Sequence, residues 1–326
     1  MHIMLTNDDG PPCSKASPYI LPFIQALEGA GHTVSVIIPD RQRSWIGKAH
    51  MVDQAVSTAA YWPPATTPAL HDPGRNPSPG ERGGRRRPWV LVDSTPASCS
   101  QLGLNGPFFR PSSSSSSGED LPPIDLVISG PNFGRNTTAV FALSSGTLGA
   151  ALEATLCGYR SIALSFAYFR QESDWNDPEA VLEACGQGVR VCEYLAKQGI
   201  SEEGKGGGFW KKGVLYSVNV PVKVGVRDKR VVWTRMLGNA WTQGGCFEET
   251  TVADDAAADA EHAGGDASRR FRWAPKFQDV YDSVQRAGPG SDGWAVKEGE
   301  TSVTALRANF MHAEEDDGAF SGEITL

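Results

Sequence analysis

No C-x-x-C pair occurs in these 326 residues, although six cysteines do, at Cys13, Cys99, Cys157, Cys185, Cys192 and Cys246. That spacing excludes a zinc ribbon and a thioredoxin-type redox motif. Cys185 and Cys192 stand seven apart in a helical pattern, and both are expected on one core face as reduced, buried thiols. Positive charge is also short: 30 Lys and Arg against 38 Asp and Glu leave a formal net charge of −8. A general nucleic-acid binder needs the opposite sign to release counterions. An acidic chain that handles an anion needs local help, from a metal ion or from backbone N–H groups. No run of eighteen apolar residues is present, so no membrane span is expected. The first apolar run is short and ends in acidic residues, unlike a secretory signal, so a cytoplasmic protein is expected. A G-x-G-x-x-G turn is missing after the first apolar run, where "NDDGPPC" stands instead, and dinucleotide binding is excluded with it.

What is there is a rhythm. "HIMLT" reads as a buried strand, Pro18 to Ala30 as a helix closed by "GAGH", and "TVSVIIP" as a β-branched strand. Such a unit places two parallel strands on either side of a right-handed crossover. "PWVLVDS", "PIDLVISG", "RSIALSF" and "GVLYSVNVP" continue the strands, while "SGTLGAALEATLCGY" and "DPEAVLEACGQGVRVCEYLAKQG" continue the helices. Strands of this kind, without strict polar alternation, predict an α/β fold with a parallel sheet covered on both faces. The core is expected over residues 1–221. From residue 222 to residue 326 the rhythm fades, and the tail reads as an irregular extension of the same domain. Three low-complexity stretches, at about 60–88, 111–120 and 252–268, are expected to be flexible insertions. The "RGGRRR" run over 82–87 reads as a solvated loop rather than an import signal.

Ligands of open parallel sheets bind outside the carboxyl ends of the strands. "TNDDG", "PDRQRS", "DSTPASC" and "SGPNFGRN" each follow a predicted strand, so their polar side chains should meet along one edge. Asp8 and Asp9 are either part of a plain turn with Gly10 or a site for a hard cation, since two carboxylates offset the charge of Mg²⁺, Mn²⁺ or Ca²⁺. Ser44 and Asn132 could complete the oxygens. Ser144, Ser145 and Thr147 stand where a helix begins; they are N-capping hydroxyls, or with Gly146 they cradle a phosphate at its positive end. The sequon at Asn136 is discounted, as no secretory signal is read.

Together "MLTNDDG", "VIIPDRQRSWIG", "DSTPASC", "ISGPNFGRN" and "SSGTLGAALEATLCGYRSIALS" resemble the SurE family of survival-protein nucleotidases, over roughly residues 1–221 and faintly beyond. The resemblance implies a Rossmann-like three-layer α/β/α fold and a metal-dependent phosphomonoesterase acting on 5′- and 3′-nucleoside monophosphates, in some members also on short polyphosphate. It places divalent-metal ligands (Mg²⁺ or Mn²⁺) at Asp8, Asp9, Ser44 and Asn132, with Asp8 and Asp9 catalytic. Phosphate or substrate binding falls on Asn7, Asn136, Ser145, Gly146 and Thr147. It also implies a homodimer or homotetramer built through the C-terminal arm. The insertions resemble those of eukaryotic members, fungal ones among them. The expected mechanism is in-line attack by a water that the cation activates.

The rivals are an Asp8 nucleophile, which would want a second Asp where Gly10 stands, and a catalytically weakened nucleotide- or partner-binding module. Three departures from the family pattern bear on the latter: "PPCSKAS" over Pro11–Ser17, Ser98 where the family has Asp, and Pro131, which removes a backbone donor.

Overall fold

The structure is a computed structural model that describes residues 1–64, 87–109, 121–168, 173–198, 210–242, 244–250 and 269–310. The low-complexity stretches expected to be flexible lie mostly outside these residues. Strands β1 (His2–Thr6), β2 (Thr33–Pro39), β3 (Thr58–Tyr61), β4 (Trp89–Val92), β5 (Leu126–Phe133), β6 (Ser161–Ala167) and β7 (Val214–Pro221) belong to one sheet. So do β8 (Val231–Trp233) and β11 (Thr301–Arg307), and the order is β3-β4-β2-β1-β5-β6-β7-β11-β8. The six central strands from β4 to β7 are parallel. β3 and β11 join the two sides in antiparallel register.

The apolar runs sort to both faces of this sheet. Ile3 and Leu5 pack with helix α1 (Ile20–Gly29) and helix α5 (Pro178–Lys197) on one face. Met4, between them, packs on the other with Cys99 of α2 (Pro96–Asn105) and Ala154 of α4 (Gly146–Leu156). A parallel strand buried on both faces has no use for polar alternation, which is why these strands read as continuous apolar runs. Each large aliphatic side chain buried this way contributes about 1.5–3 kcal/mol. Cys185 and Cys192 are both buried in the α1–α5 layer, as their spacing predicts. The three-layer α/β/α architecture is therefore the one expected.

The tail departs from the irregular extension read in the sequence. β8 and β11 complete the main sheet, while β9 (Phe247–Thr250) and β10 (Arg270–Trp273) form a separate two-stranded ribbon. Helices α6 (Gln278–Arg286) and α7 (Asp292–Lys297) lead back from it to the sheet. Buried Asp292 ties this tail to the core: its carboxylate accepts the N–H groups of Leu237, Gly293 and Thr138. Among the described residues no helix is long and apolar enough to cross a membrane.

Candidate active site

The segments that follow β1, β2 and β5 meet the start of α4 at the carboxyl edge of the sheet. The turn after β1 is built by Asn7, whose side-chain oxygen accepts Gly10 N–H at 3.1 Å while its Nδ2 donates to Gly10 O at 2.9 Å and to Ser17 Oγ. Gly10 lies at φ +78°, and a Cβ there would come within 2.9 Å of the Arg41 backbone. Only glycine takes both constraints without strain. Asn7 is fully buried, with both ends of its amide held in this turn. It therefore shapes the loop that carries Asp8 and Asp9.

The same turn brings Asp8 and Asp9 under the edge, 2% and 3% exposed. Asp8 Oδ1 accepts Thr147 Oγ1–H at 2.6 Å, and the backbone N–H groups of Gly146 and Thr147 also favour its charged form. Its main-chain oxygen accepts Arg43 N–H at 2.7 Å. Asp9 Oδ2 accepts Phe133 N–H at 2.6 Å, with Gln42 as a second donor. None of these partners is a cation. Arg41 and Arg43 are turned instead to Asp40 and Asp93. Burial raises both carboxyl groups above the usual carboxylate range, Asp9 the more strongly because the Asp8 charge adds to it.

Two buried, adjacent carboxylates without a cationic partner are a costly arrangement in an isolated chain. The remaining oxygens nearby are neutral. Ser44 and Asn132 line the same cavity as Asp8, which has a volume of about 720 Å³. Asn132 Nδ2 donates to Gly134 O at 2.8 Å, leaving Oδ1 as the atom available to a ligand. Among the described residues no third Asp, Glu, His or Cys joins the pair. The donor set thus fits a hard divalent ion that keeps several waters.

Pro131 does not disturb this edge. It follows a cis Gly130–Pro131 bond inside the irregularity between Ser129 and Asn132, where the β5–β6 register shifts and a bulged residue needs no ladder partner. Ser98 is absorbed as well: its Oγ meets His50 Nδ1 at 3.1 Å, and His50 Nε2 stands 3.4 Å from buried Glu153.

Of the expected phosphate-binding residues, Asn136 and Ser145 line the cavity. Asn136 is fixed by its Nδ2 on Ser165 Oγ and its N–H on Asn219 Oδ1, both at 2.9 Å. It is also buried, which leaves the sequon unavailable to glycosylation in the folded chain. Ser145 caps α4 by accepting Leu148 N–H. Gly146 and Thr147 act on Asp8 instead of the cavity. A Cβ on Gly146 would lie 2.7 Å from Asp8 Cβ, so glycine is what lets the helix start against the carboxylate. The N–H groups read as a phosphate cradle are thereby directed at Asp8.

Sequence reasoning missed the other wall of the cavity, formed in part by Arg135, Trp45, Phe141, Phe277 and Tyr281. Arg135 sits inside "SGPNFGRN" and Trp45 directly after Ser44, so proximity to two site residues was the available signal. Phe277 and Tyr281 come from the tail and carried none.

The family model described as "Survival protein SurE" matches residues 3–243. A Saccharomyces cerevisiae protein named "Probable tubulin--tyrosine ligase PBY1" is 30% identical over 340 residues, covering 95% of this chain and 41% of its own length. The chain thus spans about two fifths of that relative. A "5'-nucleotidase SurE" of Pelobacter propionicus is 33% identical over 222 residues, covering 68% of this chain and 66% of its own. The crystal structure of the SurE protein from Aquifex aeolicus superposes with a TM-score of 0.58 at 22% identity over 95% of each chain, a likeness of fold.

Proposed function

The chain belongs to the survival protein SurE family, and from that premise we propose that it is a divalent-cation-dependent phosphomonoesterase hydrolysing 5′- and 3′-nucleoside monophosphates. The observation that carries the reading is the buried Asp8–Asp9 pair, whose hydrogen-bond partners are all neutral, with Asp8 lining one cavity together with Ser44 and Asn132. Asp8, Asp9, Ser44 and Asn132 would hold Mg²⁺ or Mn²⁺, which when bound would offset phosphoryl charge and acidify a coordinated water.

The chain's own residues do the rest. Thr147 Oγ1–H holds Asp8 Oδ1 and Phe133 N–H holds Asp9 Oδ2, which orients the two carboxylates that would bind the ion, one of them accepting a proton from the attacking water. Asn136, held by Ser165 and Asn219, offers its amide to the phosphoryl oxygens, and Ser145 stands beside it. A homodimer or homotetramer is proposed with it, supported by the exposed Phe247 and Phe271 on the ribbon. The ligase activity in the yeast relative's name is not carried over, since this chain spans 41% of that protein.

The test is phosphate release from a panel of 5′- and 3′-nucleoside monophosphates with Mg²⁺ or Mn²⁺, and again with EDTA. Release that needs the metal and collapses in Asp9→Asn supports the proposal. No release from any monophosphate with either ion refutes it and leaves a binding role.

A further inference from the structure

We propose that Ser35, His2 and Arg87 form a second reactive centre at the amino edge of the sheet, where Ser35 is the nucleophile toward a carboxylic ester with a short apolar acyl group. His2 opens β1 and Ser35 lies in the first half of β2. The Asp8 cavity, which takes Phe141 and Ser144 of helix α3 (Ala139–Ser144) into its wall, stands at the opposite, carboxyl edge. Strand register brings the pair together. β1 and β2 run parallel with Met4 opposite Ser35, so His2, Met4 and Ser35 share the face covered by α2 and α4.

His2 Nδ1 stands 2.6 Å from Pro122 O, and His2 Nε2 stands 2.8 Å from Ser35 Oγ. A carbonyl oxygen can only accept, so the ring proton is on Nδ1. Burial keeps the imidazole neutral by lowering its pKa. Nε2 is then the acceptor and Ser35 Oγ–H the donor. A nucleophile, a base beside it and a third group that orients the base are thus in line, with a main-chain carbonyl in the third place. A purely structural bridge would satisfy both ring nitrogens in the same way. What sets this one apart is that Ser35 also lines a cavity of about 700 Å³, within the ~300–1,000 Å³ of small-molecule sites. Among the described residues β4 pairs with β2 only from Ile37 onward, which leaves the first half of β2 without a partner strand on that side. Trp89, Phe108, Phe109 and Leu121 give the cavity an apolar wall. Arg87, two residues before β4, lines it as well, and its charge opposes protonation of His2.

The reaction follows from these roles. Ser35 Oγ forms a bond to the carbonyl carbon of the ester while its proton passes to His2 Nε2, and Arg87 offsets the charge that grows on the carbonyl oxygen. The ester C–O bond breaks, and the alcohol leaves with the proton from His2. Water then attacks the acyl-serine, its proton passing to His2 and on to Ser35 Oγ as the carboxylic acid departs. The apolar wall takes the acyl chain, and no cation is needed.

The test uses the full chain in EDTA, which keeps metal-dependent phosphate chemistry silent. A fluorophosphonate, whose phosphorus takes a reactive serine oxygen with loss of fluoride, is added and the labelled residue is located by peptide mass. Label on Ser35 is expected, together with saturable hydrolysis of para-nitrophenyl butyrate that falls as the label accumulates. His2→Gln keeps a side chain able to bridge Ser35 and Pro122 but unable to carry a proton, and it should slow both reactions roughly 100-fold or more. Failure of the wild type to label at Ser35 or to turn the ester over overturns the proposal, as does hydrolysis that persists once Ser35 is fully labelled. A His2→Gln chain that labels at the wild-type rate overturns it too, and leaves His2 a structural bridge.

Discussion

Thr147 Oγ1 donates a 2.6 Å hydrogen bond to Asp8 Oδ1 across 139 residues of sequence. The hydroxyl from the first turn of α4 lowers the Asp8 pKa against burial, the larger effect, which raises it. Thr147→Val keeps the shape and removes the donor. It should cost about 1–3 kcal/mol in urea unfolding, because a buried acceptor loses its partner. Asp8 would then hold its proton to higher pH, moving the acidic limb of the activity profile upward. Thr147→Ser should restore both.

Asp9→Asn separates the needs of the site from those of the fold. The amide oxygen can still accept Phe133 N–H, now made at 2.6 Å, while one of two like charges disappears. In EDTA the variant should therefore melt no lower than the wild type. With Mg²⁺ the wild type should rise by mass action and the variant should not. Activity should fall roughly 100-fold or more. A variant that melts much lower in EDTA would show that the charge serves the fold.

The parts legible in the sequence are those set by local pattern. β1, β2 and β4 to β7 carry mainly apolar runs, and Asp8, Asp9 and Ser44 follow the strands that place them while Asn132 lies within the carboxyl end of β5. Helix α2 was missed because "PASCSQLGLN" has small, polar residues and no clear apolar stripe; it is nucleated by Thr95, whose side chain caps Ser98 N–H, with Pro96 behind it. β11 was missed because its partner β7 lies some eighty residues earlier, and a pairing of that range leaves no local mark. Phe277 and Tyr281 were invisible for the same reason. Asn7 closes its own turn, a role the sequence does not separate from that of an amide facing a ligand.

Gly146→Ala should behave opposite to helix propensity. Alanine is favoured over glycine within a helix by about 1 kcal/mol, but here its Cβ would stand 2.7 Å from Asp8 Cβ and 2.9 Å from Oδ2. The carboxylate must move, and a displacement of about 1 Å at a reacting group can cost about 100-fold in rate. Loss of activity with a melting temperature near that of the wild type is expected. An active Gly146→Ala would mean that Asp8 need not sit where the helix start holds it.

Glu153 supplies the pH test. Burial would raise its pKa, but Lys48 and Gln101, with His50 contributing, outweigh it and hold the carboxyl below the usual range. Lys48 Nζ stands 2.6 Å away and Gln101 Nε2 2.5 Å away. A carboxyl with a depressed folded-state pKa stabilises the fold above its unfolded value, about 4.3 for Glu, and loses that effect as pH falls through the folded value. The stability difference between wild type and Glu153→Gln should thus be full near pH 7 and shrink below pH ~4. Lys48 and His50 lie on the loop that carries Ser44 and Trp45, and Gly47 N–H donates to Ser144 O within it. Loosening this anchor should therefore also raise the Mg²⁺ concentration needed for half-maximal activity. If Glu153→Gln lowers stability equally at pH 7 and pH 3.5, the group acts by packing and not by charge.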